Sequence, residues 1–150
     1  KNIELHMVGP IQSNKIKIAI NLFTAIHSVE KTKTLKIINE NITTNSTIKE
    51  LFLQVNISKE SSKSGIYIED MDKFFKEAKS YKNIGISGLM TLPPPGEEPS
   101  LYFALLNKLA KKNMLQYLSM GMSNDFETAI ALGATHIRVG EAIMGSRNKN

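Results

Sequence analysis

The sequence has no cysteine, only two arginines and no long hydrophobic run in its 150 residues. Without cysteine there can be no disulfide, thiolate metal ligand or cysteine nucleophile, and the absence fits a reducing compartment, so we expect a cytoplasmic protein. No apolar stretch approaches the ~20 residues that cross a bilayer, so we expect no membrane span. Residues 1–10 also lack the apolar core and the small-residue cleavage site of a signal peptide.

The basic residues are almost all lysine. Of 19 cations, 17 are lysine, and the 14 acidic residues lie among them, as in KFFKEAK at 73–79; the net charge is +5. Nucleic-acid-binding proteins typically gather their cations into one patch or stripe. The dispersed lysines instead predict a solvated surface, and we expect no nucleic-acid partner. A scaffold or nucleic-acid binder is therefore only the third hypothesis for this chain.

Short apolar runs alternate with amphipathic stretches along the whole chain. With 41% hydrophobic and 22% charged residues, the composition is typical of one globular domain, 1–150. The apolar runs predict six strands, at 3–8, 25–29, 48–57, 84–92, 115–120 and 135–140. The stretches between and after them predict helices at 12–23, 30–40, 67–80, 98–112 and 124–132, with a short turn at 141–145. This alternation predicts βαβ units and a parallel sheet, but it leaves open both a doubly wound sheet and an eight-stranded barrel.

The usual signatures of nucleotide, serine-hydrolase and metal sites are missing. There is no G-x-G-x-x-G, no P-loop and no G-x-S-x-G. The three histidines, His6, His27 and His136, are far apart in the sequence, and no carboxylate cluster accompanies them. We therefore predict no metal site.

The end of the fifth predicted strand has features of an anion site. Active sites of βα folds lie where strands end and helices begin. Gly121 permits a tight turn there, and Ser123 falls at a predicted helix N-cap, where free backbone N–H groups and the helix dipole can hold a phosphate. The alternative is that Ser123 caps its own helix, with Asp125 and Glu127 complementing the dipole.

The last predicted strand ends in a second glycine, Gly140, beside the first strand end. Two such ends predict a phosphate site, which in (β/α)8 barrels often forms after the last two strands. Alternation along the strand directs Arg138 into the barrel if its apolar neighbours pack on the helices. A buried guanidinium needs an acceptor, either a carboxylate or a ligand's ring nitrogen or phosphate. Asn56 and Met90 end two earlier strands and could line the same opening.

Four segments together resemble the pyridoxal-phosphate homeostasis (YggS/PROSC-like) family, related in fold to the barrel domain of alanine racemase. They are HMVGPIQSNK at 6–15, VNISKESSKSG at 55–65, GLMTLP at 88–93 and LSMGMSNDFETAIALGATHIRVGEAIMG at 118–145. The resemblance implies an α/β fold, a (β/α)8 TIM barrel of the alanine-racemase type, which binds pyridoxal 5′-phosphate (PLP) at the C-terminal ends of its strands. It implies a role in intracellular PLP homeostasis, in which the protein buffers the cofactor or delivers it to apo PLP-dependent enzymes without robust turnover. We expect a monomer.

The resemblance also implies a set of cofactor-binding residues and no catalytic residue. They are Met122, Ser123, Arg138, Gly140, Glu141, Asn56, Met90 and His6. Ser123 and the Met122 backbone would hold the phosphate from one side, and the backbone of Gly140 and Glu141 from the other. Arg138 would face the pyridine nitrogen, where a cation disfavours protonation of the ring.

One family feature has no counterpart in this sequence. The lysine that forms the Schiff base lies upstream of the motif H-x-x-G-x-x-Q-x-N-K, which begins here at His6. We therefore expect this chain to be the C-terminal three-quarters of the barrel, without its first two βα units, and favour a fragment over a degenerate relative. Lys31, in SVEKTK at 28–33, and Lys63 match other parts of the family pattern and are rejected as this lysine.

The alternative function is that of a PLP-dependent amino-acid racemase. Such an enzyme needs a second acid/base residue at the ring, often a tyrosine from another domain. No second domain is encoded in these 150 residues, and the four tyrosines are poorly placed for that role. They are Tyr67, Tyr81, Tyr102 and Tyr117.

Overall fold

Six parallel strands alternate with helices in the computed structural model, which describes residues 3–145. The strands are β1 (His6–Met7), β2 (Ala25–Val29), β3 (Glu50–Gln54), β4 (Gly88–Met90), β5 (Tyr117–Met122) and β6 (His136–Arg138). The α-helices are α1 (Ile16–Leu22), α2 (Thr32–Asn41), α3 (Met71–Ala78), α4 (Pro99–Lys112), α5 (Phe126–Ala131) and α6 (Glu141–Met144). Short 3₁₀ turns at Ser13–Lys15 and Ile68–Asp70 precede α1 and α3. Every predicted strand and helix is confirmed in type and order.

The strands lie in the sheet in the order in which they occur in the sequence, β1-β2-β3-β4-β5-β6. A doubly wound sheet reverses its strand order at a switch point, so this order excludes that alternative. The sheet also curls, because the rings of His6 on β1 and His136 on β6 have centroids only 5.6 Å apart. The expected barrel-type α/β architecture is therefore confirmed as a curled sheet of six parallel strands.

The main hydrophobic core lies between the sheet and the helices. Its strand residues include Ile26, Leu53 and Leu89, which are fully buried. The helices supply residues at helical spacing, such as Phe103 and Leu106 on α4, which are also fully buried. Full burial of one such side chain contributes roughly 1.5–3 kcal/mol. This outer layer is the chief source of stability in the described part of the chain.

A second, smaller group of side chains fills the concave face of the sheet. Phe52 on β3 packs there with Ala25, Met90 and Tyr117. Gly88 on the neighbouring strand leaves room for the aromatic ring, because a Cβ at this position would lie 2.8 Å from the ring of Phe52 and 2.4 Å from the Tyr117 carbonyl oxygen. The polar side chains described below lie on this same concave face.

Several element boundaries differ from the prediction. The strand predicted at 84–92 is ordered as a strand only over Gly88–Met90, because its ladder with β3 runs only from the Phe52–Gly88 pair to the Gln54–Met90 pair. The helix predicted at 124–132 spans Phe126–Ala131, and Gly133, with φ +96°, follows its end as predicted. None of the described helices is long and apolar enough to cross a membrane.

Candidate functional site at the strand ends

An open cavity of about 820 Å³ runs along the concave face of the sheet to the C-terminal ends of β4, β5 and β6. Five of the eight predicted site residues line it: His6, Met90, Met122, Arg138 and Gly140. Two histidines that were not predicted as site residues, His27 and His136, line it as well. The spacing of the strands along the chain therefore brings most of the predicted residues together.

Arg138 on β6 points into the barrel, as the alternation predicted. One terminal nitrogen donates to the Ser119 carbonyl oxygen at 3.0 Å and to the Ser119 hydroxyl at 2.7 Å, and the other donates to the Thr91 carbonyl oxygen at 2.9 Å. Burial lowers the pKa of the guanidinium to about 10. Within residues 3–145 the acceptors of Arg138 are two backbone carbonyls and a hydroxyl, neither the carboxylate nor the ligand that the sequence predicted, and the charge of Asp125 acts on it without a salt bridge. Three of the five guanidinium N–H groups are used, and two remain for a ligand.

The end of β5 is shaped by a glycine and an aspartate. Gly121 has φ +92°, and a Cβ there would lie 2.6 Å from Cβ of Ala129 on α5. The Met122 N–H donates to Oδ1 of Asp125 at 2.6 Å, and Asp125 is the N-cap residue of α5. The prediction that Ser123 is the N-cap is therefore wrong, because the chain makes one further turn before the helix begins.

Ser123 instead joins the two strand ends. Its hydroxyl oxygen accepts a hydrogen bond from the Ala142 N–H, in the first turn of α6, at 3.2 Å. Within the described residues, the backbone N–H groups of Ser123, Gly140 and Glu141 have no hydrogen-bond acceptor. Donors without acceptors at adjacent strand ends can bind an anion.

Asn56 lies beside the large cavity rather than in its lining. Its side-chain amide is buried and donates to the carbonyl oxygens of Glu60 at 2.8 Å and Lys63 at 3.1 Å, which fixes the loop after β3. It lines a neighbouring cavity of about 260 Å³, which shares Val8 and Leu92 with the large one. Among the residues described, no lysine lines the large cavity.

A cluster of three histidines on the concave face was missed by the sequence analysis. The ring centroids of His6, His27 and His136 lie 5.2–5.6 Å apart. His27 is 1% exposed and stacks on Phe52, with ring centroids 4.1 Å apart. Nothing in residues 3–145 groups three potential metal ligands in a geometry that would hold a metal ion. The sequence did contain one signal for this cluster. Side chains alternate between the two faces of a strand, and each histidine falls at an inward-facing position of its strand.

The fold lowers the pKa of two of the three histidines, His27 and His136. Burial and, to a smaller extent, the nearby His6, His136 and Arg138 together lower the pKa of His27 to about 3. Burial also lowers the pKa of His136, against the opposing effect of Glu50, whose Oε2 lies 3.7 Å from the ring. His27 is therefore an uncharged hydrogen-bonding group at neutral pH.

The sequence matches, over residues 2–148, the family described as the N-terminal domain of alanine racemase. This chain belongs to that family. The curled parallel sheet is the fold expected for a member.

Individual relatives confirm the narrower resemblance carried by the four motifs. The pyridoxal phosphate homeostasis protein of Haemophilus influenzae is 34% identical over 157 residues, covering 98% of this chain and 66% of that protein. The protein of the same name from Pseudomonas aeruginosa is 37% identical over 148 residues, covering 95% of this chain and 64% of that protein. The structure of PipY from Synechococcus elongatus with PLP bound is 30% identical, with a TM-score of 0.80, covering 97% of this chain and 72% of PipY. The chain thus spans about two-thirds of the length of these curated relatives.

Proposed function

We propose that this chain is the PLP-binding part of a protein that buffers or delivers PLP inside the cytoplasm to apo PLP-dependent enzymes. The observation that carries the proposal is one cavity lined by both Arg138, with two unused N–H groups, and Gly140, whose N–H has no acceptor within the described residues and lies beside those of Ser123 and Glu141. The homeostasis proteins among its relatives, and PipY with PLP bound, support the same assignment. When bound, PLP supplies an aldehyde that reacts with amines and a ring that can withdraw electrons.

The phosphate of PLP would lie between the ends of β5 and β6. The N–H groups of Ser123, Gly140 and Glu141 have no acceptor within the described residues and would donate to it. The Ser123 hydroxyl accepts from Ala142, so its own proton is available for a phosphate oxygen. Met122 would contribute to the lining rather than through its N–H, because Asp125 already accepts that bond.

The pyridine nitrogen would face Arg138. A permanent cation at this position disfavours protonation of the ring, which weakens the ring's capacity to withdraw electrons. Met90 and His6 would line the pocket around the ring, and Asn56 would hold the adjoining loop. This environment favours a protein that holds the cofactor over one that drives chemistry with it.

The whole protein would need a lysine to join the cofactor covalently. No lysine of the described part lines the cavity. In our proposal, two further βα units complete an eight-stranded barrel between β6 and β1, and one of them carries this lysine. The curated relatives, of which this chain spans about two-thirds, are long enough to include such units.

A racemase function has less support from the geometry. Among the described residues, no tyrosine lines the cavity. The hydroxyls of Tyr81 and Tyr102 are hydrogen bonded to Glu77 and Glu97, and Tyr117 packs on Phe52. The second acid/base residue that racemisation requires would have to come from elsewhere.

Calorimetric titration of this chain with PLP tests the proposal. We expect saturable binding of PLP and of pyridoxine 5′-phosphate, and much weaker binding of pyridoxal, which lacks the phosphate. Arg138→Met should weaken PLP binding, whereas Lys112→Met removes one cation from α4, remote from the cavity, and should not. Absence of saturable PLP binding, or equal binding of pyridoxal and PLP, would contradict the proposed site.

A further inference from the structure

A continuous row of hydrogen bonds crosses the concave face of the sheet from Arg138 through Ser119 and His27 to His6. The Ser119 hydroxyl lies 2.7 Å from Arg138 and 2.7 Å from Nδ1 of His27. Nε2 of His27 lies 3.1 Å from Nδ1 of His6. These four side chains, called here the interior network, come from β6, β5, β2 and β1.

The direction of every bond in the interior network follows from its arginine. A guanidinium only donates, so the Ser119 hydroxyl oxygen must accept from Arg138. Within the described residues, the one remaining polar partner of that hydroxyl is Nδ1 of His27, so the Ser119 proton is donated there. Nδ1 is then unprotonated, and the neutral ring carries its proton on Nε2, which donates to His6.

The hydrogen bonds of the interior network can keep these directions only while the His27 ring is uncharged. The ring is 1% exposed, stacked on Phe52 and faced by His6, His136 and Arg138. The acidic groups Glu50 and Glu4 lie farther out, beside the other two histidines, and the charge of Asp125 acts on Arg138. A protonated His27 would direct a second donor at the Ser119 oxygen and a second positive charge at the guanidinium, and both would displace Arg138.

We propose that Ser119 and His27 are positioning residues that orient the Arg138 guanidinium toward a pyridine nitrogen in the cavity. The inference rests on the proposed function, in which PLP is the ligand of the cavity. All three acceptors of Arg138, two carbonyl oxygens and one hydroxyl, are uncharged. The guanidinium is therefore in no salt bridge within residues 3–145, although the charge of Asp125 acts on it, and the two unused N–H groups are held in a fixed plane.

The first experiment needs no ligand. Side-chain ¹⁵N NMR of the histidines distinguishes a protonated from an unprotonated ring nitrogen. We expect His27 to carry its proton on Nε2 in the unmodified chain. In Arg138→Met the serine oxygen is free to accept, so the population with the proton on Nδ1 should rise. A His27 protonated on Nδ1 in the unmodified chain would overturn the assigned direction.

The second experiment compares PLP with an analogue in which carbon replaces the ring nitrogen. The unmodified chain should bind PLP more tightly than this analogue. Ser119→Ala should reduce that preference by about two- to tenfold, the effect of losing one hydrogen bond. A general loss of packing would weaken both ligands equally and leave the ratio unchanged, so an unchanged ratio would overturn the proposal.

Two further variants complete the design. His27→Gln offers an acceptor and a donor and should retain part of the preference, whereas His27→Phe keeps the ring stack and should lose it. Ser87→Ala, at a serine outside the cavity lining, should leave the ratio of the two affinities unchanged.

If the unmodified chain binds no PLP, the proposed function fails, and the NMR experiment still decides the direction of the hydrogen bonds in the interior network.

Discussion

The two faces of the curled sheet differ sharply in what they contain. The outer face, toward the helices, is aliphatic, with residues such as Leu53 and Leu89 packed on α-helical partners. The concave face carries Ser119, His27 and Arg138, which are buried or half-buried and bonded to one another. Apolar burial is non-directional and tolerates shifts, whereas a buried polar group requires a partner at a defined angle and distance. The outer face therefore supplies stability, and the concave face supplies a fixed arrangement of donors and acceptors.

The largest expected effect is on the outer face. Phe103 on α4 is fully buried, and Phe103→Ala should destabilise the fold by about 3–5 kcal/mol through lost burial and the remaining cavity. Urea unfolding measures this change. Leu101→Ala, on the same helix at a side chain that is 74% exposed, is the matched control and should cost less than ~0.5 kcal/mol. Similar losses at both positions would contradict the assignment of the core.

The next largest expected change in stability comes from the concave face and depends on pH. The pKa of His27 is about 3 in the folded chain against 6.5 for the free side chain, so the unfolded state binds more protons between these values. Stability should therefore fall by a few kcal/mol as the pH drops from about 6.5 toward 3, on the order of 1.4 kcal/mol per pKa unit. The lowered pKa of His136 acts in the same direction.

Unfolding measured at several pH values in the unmodified chain and in His27→Gln isolates the contribution of His27. The variant has no titrating ring at position 27, so its stability should depend on pH much less steeply. Equal slopes in the two proteins would show that His27 is not held neutral by the fold.

The chain's alternation of apolar and amphipathic stretches predicted the order and type of the elements because each element's period is a local property. The direction of Arg138 followed from the same alternation. Alternation alone could place the histidines on the inner face, but it could not predict their contacts, such as His6 to His27 across 21 residues or His27 to Ser119 across 92, since these depend on how far the sheet curls and on the register shift between Ile26 and Val29. Ser123 was misassigned as an N-cap because Asp125, two residues later, is an equally good cap by residue type.

A smaller loss of stability is expected from a substitution at Gly88 on β4. Gly88→Ala places a methyl group against the Phe52 ring and the Tyr117 carbonyl on the concave face. Overpacking of this kind typically costs about 1–3 kcal/mol. Urea unfolding and the near-UV circular dichroism of the aromatic rings would detect it. Gly140→Ala, where a Cβ would meet no atom within 4 Å, is the control and should change stability much less.

The smallest expected change in stability is at the exposed surface of a helix, away from both faces of the sheet. Lys36 and Glu40 form an exposed ion pair on α2, with a nitrogen-to-oxygen distance of 4.0 Å. Lys36→Gln should change stability by less than about 0.5 kcal/mol, because solvent screens such pairs. The measurement is urea unfolding at low and high salt. A larger, salt-dependent loss would mean that charge pairs on the helices contribute to stability as the buried faces do.

The interior network has a consequence for proton movement. A row of serine and histidine groups can conduct protons only if each end can both release and accept one. At one end of this row is Arg138, whose pKa of about 10 keeps its proton in place at neutral pH. The row therefore ends in a group that does not release a proton. It fixes the orientation of the side chains from one strand to the next, and no proton passes along it from one end to the other.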